Sequence, residues 1–256
     1  MRTHDSKKAL ITGASSGIGA ATAKLLAAQG FDLLLLARRK DRLESLKKDL
    51  LGNHSQISVD VAQVDVTSFE EVQKFFAEFK TKIQLVNVLI NNAGLAKGSD
   101  PAHLAQWEDW ELMLETNIKG LMYLTHQLLP KLIEKAPAHI VNIGSVAGRW
   151  TYPGAAVYNA TKFAVRAFSE GLRLDLLGKQ VRVTNIEPGM VETEFSKVRF
   201  EDEEKARAVY QGMKPLTAED IASTISWCLA QPEHVNIQEL VIYPVDQASP
   251  QNIYRS

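Results

Sequence analysis

The chain holds a single cysteine, Cys228, in 256 residues. No intrachain disulfide can form, and so sparing a use of thiols suits a reducing compartment. Cys228 lies inside the apolar stretch 221–229, so burial is its expected role; a reactive thiolate needs an accessible, electropositive setting. No apolar run reaches the ~20 residues that span a bilayer, and no hydrophobic signal segment occupies Met1 to Lys8. Net charge is missing too, with 29 Lys and Arg against 30 Asp and Glu, so no field of one sign draws nucleic acid or an anionic membrane. Internal repeats, low-complexity tracts and a metal-ligand set are not seen. These absences predict a cytoplasmic protein that uses no nucleic acid, membrane or metal, and whose partners are small molecules or copies of itself.

What the chain does have is alternation. Strand-like apolar runs recur at 9–12, 32–37, 57–64, 87–91, 139–143, 181–186 and 237–243, separated by stretches of helical period at 17–29, 40–51, 68–80, 103–134, 155–177 and 217–230. Repeated βαβ units of this kind predict an α/β fold: a Rossmann-type doubly wound parallel sheet of about seven strands with helices on both faces, in a single domain over 1–256. Right-handed crossovers then place a ligand beyond the carboxyl ends of the strands, where the strand order switches. The segment 188–215 interrupts the alternation and carries Glu201-Asp202-Glu203-Glu204. Its position after a strand end marks it as a mobile substrate lid of loop and short helix; the charge run by itself reads equally as a solvated face.

Directly after the first strand the chain reads Thr12-Gly13-Ala14-Ser15-Ser16-Gly17-Ile18-Gly19. Gly13 suits a tight turn, Gly17 a close approach by a pyrophosphate, and Gly19 the packing of the next helix on the sheet. Free N–H groups at that helix start bind phosphates. Further on, Ser145, Tyr158 and Lys162 set a hydroxyl, a phenol and an ammonium in order. A phenol with a pKa near ~10 and a lysine near ~10.4 do not deprotonate an alcohol unaided at neutral pH. On a helix over 155–177, however, Tyr158 and Lys162 at i, i+4 share a face, and the ammonium is expected to lower the tyrosine pKa. Ser145 then orients the substrate oxygen while Tyr158 moves the proton. Taken alone, a Tyr-x-x-x-Lys pair is also ordinary decoration of a helix surface.

Together these residues resemble the short-chain dehydrogenase/reductase family over nearly the whole chain. The resemblance also rests on Asn91-Asn92-Ala93-Gly94, Asn117 and Pro188-Gly189. It implies that Asn117 completes a catalytic tetrad, holding a water that links Lys162 to solvent. It further implies that Asn92, Ala93 and Gly94 line the adenosine side and steady the sheet, that Asp65 and Val66 meet adenine, and that Pro188, Gly189, Val191 and Thr193 border the nicotinamide. Lys162 is implied to bind the nicotinamide ribose as well. Asp65 reads alternatively as a helix-starting residue, and Pro188-Gly189 as a turn.

At the end of the second strand, where an NAD enzyme places an acid on the ribose, this chain has Arg38 and Arg39. Guanidinium groups make charge-assisted contacts with a 2′-phosphate, so the expected cofactor is NADP (NADP+/NADPH). One of the two arginines could simply begin the basic helix that follows. The stretches Asn142 to Ser145, Ile186 to Gly189, Thr193 to Ser196, Val198 to Phe200 and Asn252 to Arg255 resemble a branch of NADP-dependent 3-hydroxy acid dehydrogenases that also oxidise serine and reduce semialdehydes. A 3-hydroxy acid needs a cation for its carboxylate, and Arg149 and Arg199 are the candidates. Two other functions stay open: a carbonyl reductase for neutral ketones or aldehydes, and a non-catalytic NADPH-binding regulatory protein. The resemblance implies a homotetramer built through 103–134 and 155–177.

Overall fold

The computed structural model describes residues 7–256; the polar stretch at 1–6 lies outside the described residues. Seven strands form one parallel sheet in the order β3-β2-β1-β4-β5-β6-β7. In chain order these are β1 (Lys8–Thr12), β2 (Asp32–Ala37), β3 (Val59–Gln63), β4 (Val88–Asn91), β5 (Ala138–Ile143), β6 (Val181–Pro188) and β7 (Glu239–Ile242). Every expected strand is present. Of the five inner ones, β1, β2, β4 and β5 are buried at every position and β6 at all but one, as expected of strands covered on both faces.

Helices α1 (Gly17–Ala28) and α2 (Lys40–Asn53) cover one face, together with the late helix described below as α10, around Leu26, Leu33, Leu35, Leu43, Ile225 and Cys228. Cys228 is fully buried there, and its thiol is pushed up to about 11 by desolvation. The other face carries α3 (Phe69–Glu78), the short α4 (Lys80–Ile83), α6 (Leu121–Glu134) and α7 (Ala156–Asp175), packed through Val72, Phe75, Leu124, Leu128 and Leu172. Local signals set several helix starts. Ser68 accepts from Glu71 N at the head of α3, and Thr217 with Asp220 forms a capping box for α10 (Ala218–Ala230).

The single long helix expected over 103–134 is instead three pieces. It runs as α5 (Trp107–Leu114), a π-helical turn over Glu115–Gly120, and α6. A π turn widens the helix by one residue, and such turns cluster at functional sites; this one carries Asn117. The lid segment contains two short helices, α8 (Phe195–Phe200) and α9 (Glu203–Ala208). The C-terminal tail lies on its own chain beside them: Arg255 donates to the carbonyls of Val209 and Gln211, and Ser256 N to Gly212 O at 2.9 Å.

Between β1 and β4 the order reverses, because β1 pairs with β2 on one side and β4 on the other. A crevice opens beyond the carboxyl ends of the strands at such a point. Among the described residues no helix is long and apolar enough to cross a membrane.

Candidate active site

A cleft of about 460 Å³ lies over that reversal, within the size range of small-molecule sites. Its lining brings together Gly13 and Ser15 to Ile18 after β1, Arg38 and Arg39 after β2, Asp65 and Val66 after β3, Asn92 to Gly94 after β4, Ser145 after β5, Tyr158 and Lys162 on α7, Pro188 at the end of β6, and Gly189, Val191, Thr193 and Arg199 after it.

At one end, the glycine turn leads into α1. No side chain caps the start of α1 and no acid occupies its first turn, so its N–H groups and positive end face the cleft unneutralised, as an anion site requires. Gly19, just behind the lining, has a packing reason to be glycine: a Cβ there would stand 2.5 Å from Gly13 O. Asn92 stitches β4 to β1, donating to the carbonyls of Thr12 and Gly13 at 2.9 and 3.2 Å. Thr12 Oγ1 accepts in turn from Ala93 N at 3.0 Å. Arg39 bonds Ser15 Oγ and Ser16 Oγ at 3.2 and 2.6 Å, while Arg38 is mostly exposed with a guanidinium nitrogen 3.9 Å from Asp65. Asp65 mainly holds its own turn, its Oδ1 accepting from the Thr67 amide and hydroxyl. A dinucleotide fits these features: an open helix start for its pyrophosphate, and guanidinium groups at the adenosine end.

At the other end, Lys162 Nζ donates to Ile143 O at 2.9 Å, and the ammonium is 5.9 Å from the centre of the Tyr158 ring. Burial lowers the Lys162 pKa to about 8, which leaves it roughly nine-tenths charged at pH 7. Contrary to the expectation from the sequence, this charge does not hold the tyrosine pKa below its ordinary value. Burial pushes the Tyr158 phenol above its ordinary value, Tyr152 adding to the rise while Ser145 and the Arg199 charge oppose it. Desolvation of the phenolate outweighs the nearby cations, so Tyr158 is held as an acid. Ser145 is itself fixed by a bond from Ala147 N to its Oγ at 3.1 Å.

Asn117 reaches this end from the π turn. Its amide brackets Leu95, accepting from the N–H at 2.9 Å and donating to the carbonyl at 2.8 Å, and it donates to Thr161 Oγ1 at 3.1 Å. Its Oδ1 stands 3.3 Å from the Cβ that Gly94 lacks, and Lys162 Nζ 3.7 Å from the same point, so Gly94 keeps the two polar groups close.

The two candidate arginines separate. Arg149 does not line the cleft. It is bound to Glu187 and Glu239, which explains how a fully buried carboxylate at Glu187 is tolerated. Arg149 therefore serves these ion pairs, not a substrate carboxylate as the sequence suggested. Arg199 does face the cleft, donating to Gly98 O at 3.0 Å and Tyr152 Oη at 3.3 Å, with its guanidinium over the rings of Tyr152 and Phe200. Among the described residues no carboxylate pairs with it within 4 Å. Val191 and Thr193 border the middle of the cleft. The Val191 carbonyl is taken by Tyr210 Oη at 2.9 Å, and Thr193 Oγ1 by Phe195 N at 3.2 Å.

Sequence reasoning missed several lining residues: Tyr152, Glu194, Phe195, Tyr210 and Gln247. Phe195 packs 5.8 Å from the Tyr158 ring, centre to centre, and Gln247 Oε1 accepts from Met190 N at 2.8 Å. Glu194 and Phe195 follow Thr193 directly, and that adjacency was the available signal; Gln247 gave none, being brought in by the tail.

An α/β sheet that reverses its order beside a glycine turn, with a phenol, an ammonium and a hydroxyl at the opposite end of one cleft, defines a dinucleotide-binding oxidoreductase. The chain belongs to the short-chain dehydrogenase family, whose model, described as short chain dehydrogenase, matches residues 7–204. Among its relatives, the NADP-dependent 3-hydroxy acid dehydrogenase YdfG of Escherichia coli is 45% identical over 241 residues, 93% of this chain and 95% of that protein. A serine 3-dehydrogenase of Agrobacterium fabrum is 45% identical over 240 residues, 93% and 94% of the two chains. The closed form of a serine dehydrogenase complexed with NADP+ superposes with a TM-score of 0.90 at 44% identity, over 97% of this chain and all of the other.

Proposed function

We propose that this protein is an NADP-dependent oxidoreductase that interconverts 3-hydroxy acids, serine-like substrates included, with the corresponding 3-oxo acids or semialdehydes. The NADP-dependent relative and the NADP+ complex support the cofactor, as do Arg38 and Arg39 at the end of β2. The observation that carries the acid-substrate reading is Arg199, a cation that faces the cleft, has no carboxylate partner among the described residues and lies close enough to Tyr158 to act on its pKa. A guanidinium held by neutral groups alone is available to a substrate carboxylate.

NADP supplies the hydride acceptor or, reduced, the donor; Gly13 to Gly19, Arg38, Arg39, Asp65, Val66, Asn92 to Gly94, Val191 and Thr193 would hold it. The proton chemistry belongs to the chain. In carbonyl reduction, Ser145 fixes the substrate oxygen and neutral Tyr158, kept protonated by burial, delivers its proton to that oxygen. In oxidation Tyr158 first sheds its proton, and the charge of Lys162 steadies the phenolate. Asn117, anchored to Leu95 and Thr161, completes the tetrad by ordering the water path to Lys162. The segment 188–215 serves as the lid that excludes solvent.

A screen of hydroxy acids, serine isomers, semialdehydes and neutral ketones with NADP+ and NADPH tests this directly. Turnover confined to neutral carbonyls would replace the acid reading with a carbonyl reductase, and no turnover at all with a binding protein. Arg199→Met is expected to raise KM for carboxylate substrates about tenfold or more while sparing neutral alcohols. An equal loss on both classes would remove Arg199 as the clamp. Exposed Trp107, Ile133 and Phe163 on α5, α6 and α7 support assembly as a homotetramer, to be checked by light scattering. The buried single cysteine is compatible with the cytoplasm.

A further inference from the structure

Two arginines hold one carboxylate across the mouth of the cleft. Glu194 Oε2 accepts from Arg39 Nη1 at 2.9 Å, and Glu194 Oε1 from Arg42 Nη1 at 2.7 Å. Arg39 follows β2 and Glu194 follows β6, so the tie spans the cleft from one side of the switch point to the other, and both residues line it. Glu194 stands at the start of α8, yet its side chain makes no capping bond there. Fold stability does not explain the arrangement either. The three side chains are 41 to 44% exposed, and ion pairs in that setting contribute little.

What the tie does is occupy Arg39. The same guanidinium is anchored to Ser15 and Ser16 of the glycine turn, which aims it at the adenosine end of the cleft. An internal anion already sits on the cation that a bound phosphate needs.

We propose that Glu194 is a specificity-determining residue for the cofactor, competing with the 2′-phosphate of NADP(H) for Arg39 and so setting both cofactor preference and the rate of cofactor exchange. The inference rests on the NADP reading above. A 2′-phosphate draws Arg39 away from Glu194, and Arg42 keeps the released carboxylate paired, so the exchange costs one charge-assisted bond rather than a stranded anion. NAD has no 2′-phosphate and leaves the tie intact. Glu194 thus weakens NADP(H) selectively and shortens its residence.

The test measures dissociation constants of NADP+, NAD+ and adenosine 2′,5′-bisphosphate by calorimetry, and the NADPH off-rate by stopped-flow displacement, in the wild type and in Glu194→Gln. The amide keeps the shape and a hydrogen bond while removing the charge. NADP+ and the bisphosphate are expected to bind about three- to tenfold tighter and NADPH to leave correspondingly more slowly, with NAD+ changed by less than roughly twofold. In an Arg39→Met background the gain from Glu194→Gln should vanish, since the contested cation is gone. Unchanged or weaker NADP+ binding in Glu194→Gln, equal shifts for NADP+ and NAD+, or a gain that survives in Arg39→Met would each overturn the proposal. A wild-type protein that favours NAD+ over NADP+ would instead count against the NADP reading itself.

Discussion

Tyr158 can give a proton more readily than it can take one. Burial holds the phenol neutral, which is the form that carbonyl reduction consumes and the form that alcohol oxidation must first ionise. Oxidation should therefore accelerate between about pH 5 and pH 7, below the range where Lys162 loses most of its charge, while reduction stays level. Paired pH–rate profiles check this, and an oxidation rate already flat at neutral pH would show a phenol that ionises far more easily. Tyr158→Phe should remove turnover in both directions, by at least ~100-fold, and leave NADPH binding by fluorescence nearly unchanged. At this scale the sequence was highly legible. The triplet, Asn117 and the glycine turn lie in local patterns of their own, and the structure sets the triplet and most of the glycine turn on one cleft, with Asn117 buried just behind its lining. The pKa direction of Tyr158 was not legible, because it depends on how completely Phe195 and its neighbours exclude water.

Among elements, the contact between the 3₁₀ turn Val146–Gly148 and α7 decides where the hydroxyl of Ser145 meets the phenol of Tyr158. A Cβ on Gly148 would stand 2.6 Å from Lys162 O, and backbone cannot yield as a flexible side chain does. Gly148→Ala should push the turn off α7 and cut kcat strongly, about tenfold or more, with a smaller effect on cofactor affinity; a variant with normal kcat would show that the turn does not position the site. Arg149, one residue further, belongs to the ion pairs that join this turn to β6 and β7. Arg149→Met leaves the buried carboxylate of Glu187 with Asn185 Nδ2 at 2.7 Å and a guanidinium of Arg166 only at 3.9 Å. The loss should be about 3 kcal/mol of stability by urea denaturation, with KM for acid and neutral substrates moving together. Reading Arg149 as a clamp went astray because its partners lie 38 and 90 residues away. Only the register of β6 against β7 reveals them, whereas Arg199 is placed by its own helix.

The whole molecule carries an acid sensitivity in its central sheet. His139 on β5 is buried with Nε2 2.8 Å from Thr184 Oγ1. Thr184 gives its hydroxyl proton to Ile237 O at 2.6 Å, so His139 must be the donor to Thr184, and its Nδ1 is left without a partner. Protonating Nδ1 would bury a charge with nothing to accept its proton. Burial accordingly lowers this pKa from 6.5 to about 3. The unfolded chain takes up the proton near pH 6.5 while the fold refuses it, so stability falls as pH drops below that value. Relative to His139→Gln, the wild type should lose about 2 kcal/mol more between pH 7 and pH 5 in urea midpoints; parallel loss in both would assign the acid sensitivity elsewhere. The fold as a whole was readable because both faces of the sheet are covered, which writes the strands as apolar runs and the helices as periodic ones. The break at 115–120 was not, since a π turn leaves the apolar period almost intact.

The place of β1 also matters while the chain is being made. Made before the other six strands, it ends up in the interior of the sheet, between β2 and β4. Residues 8–63 can pair β1, β2 and β3, yet one edge of β1, with Ala9, Leu10 and Ile11 fully buried in the finished sheet, stays open until 88–91 arrive to close it. An open apolar edge invites pairing with another chain. Fragments ending between β3 and β4 should therefore aggregate, and slow translation between residues 64 and 87 should lower the yield of folded protein.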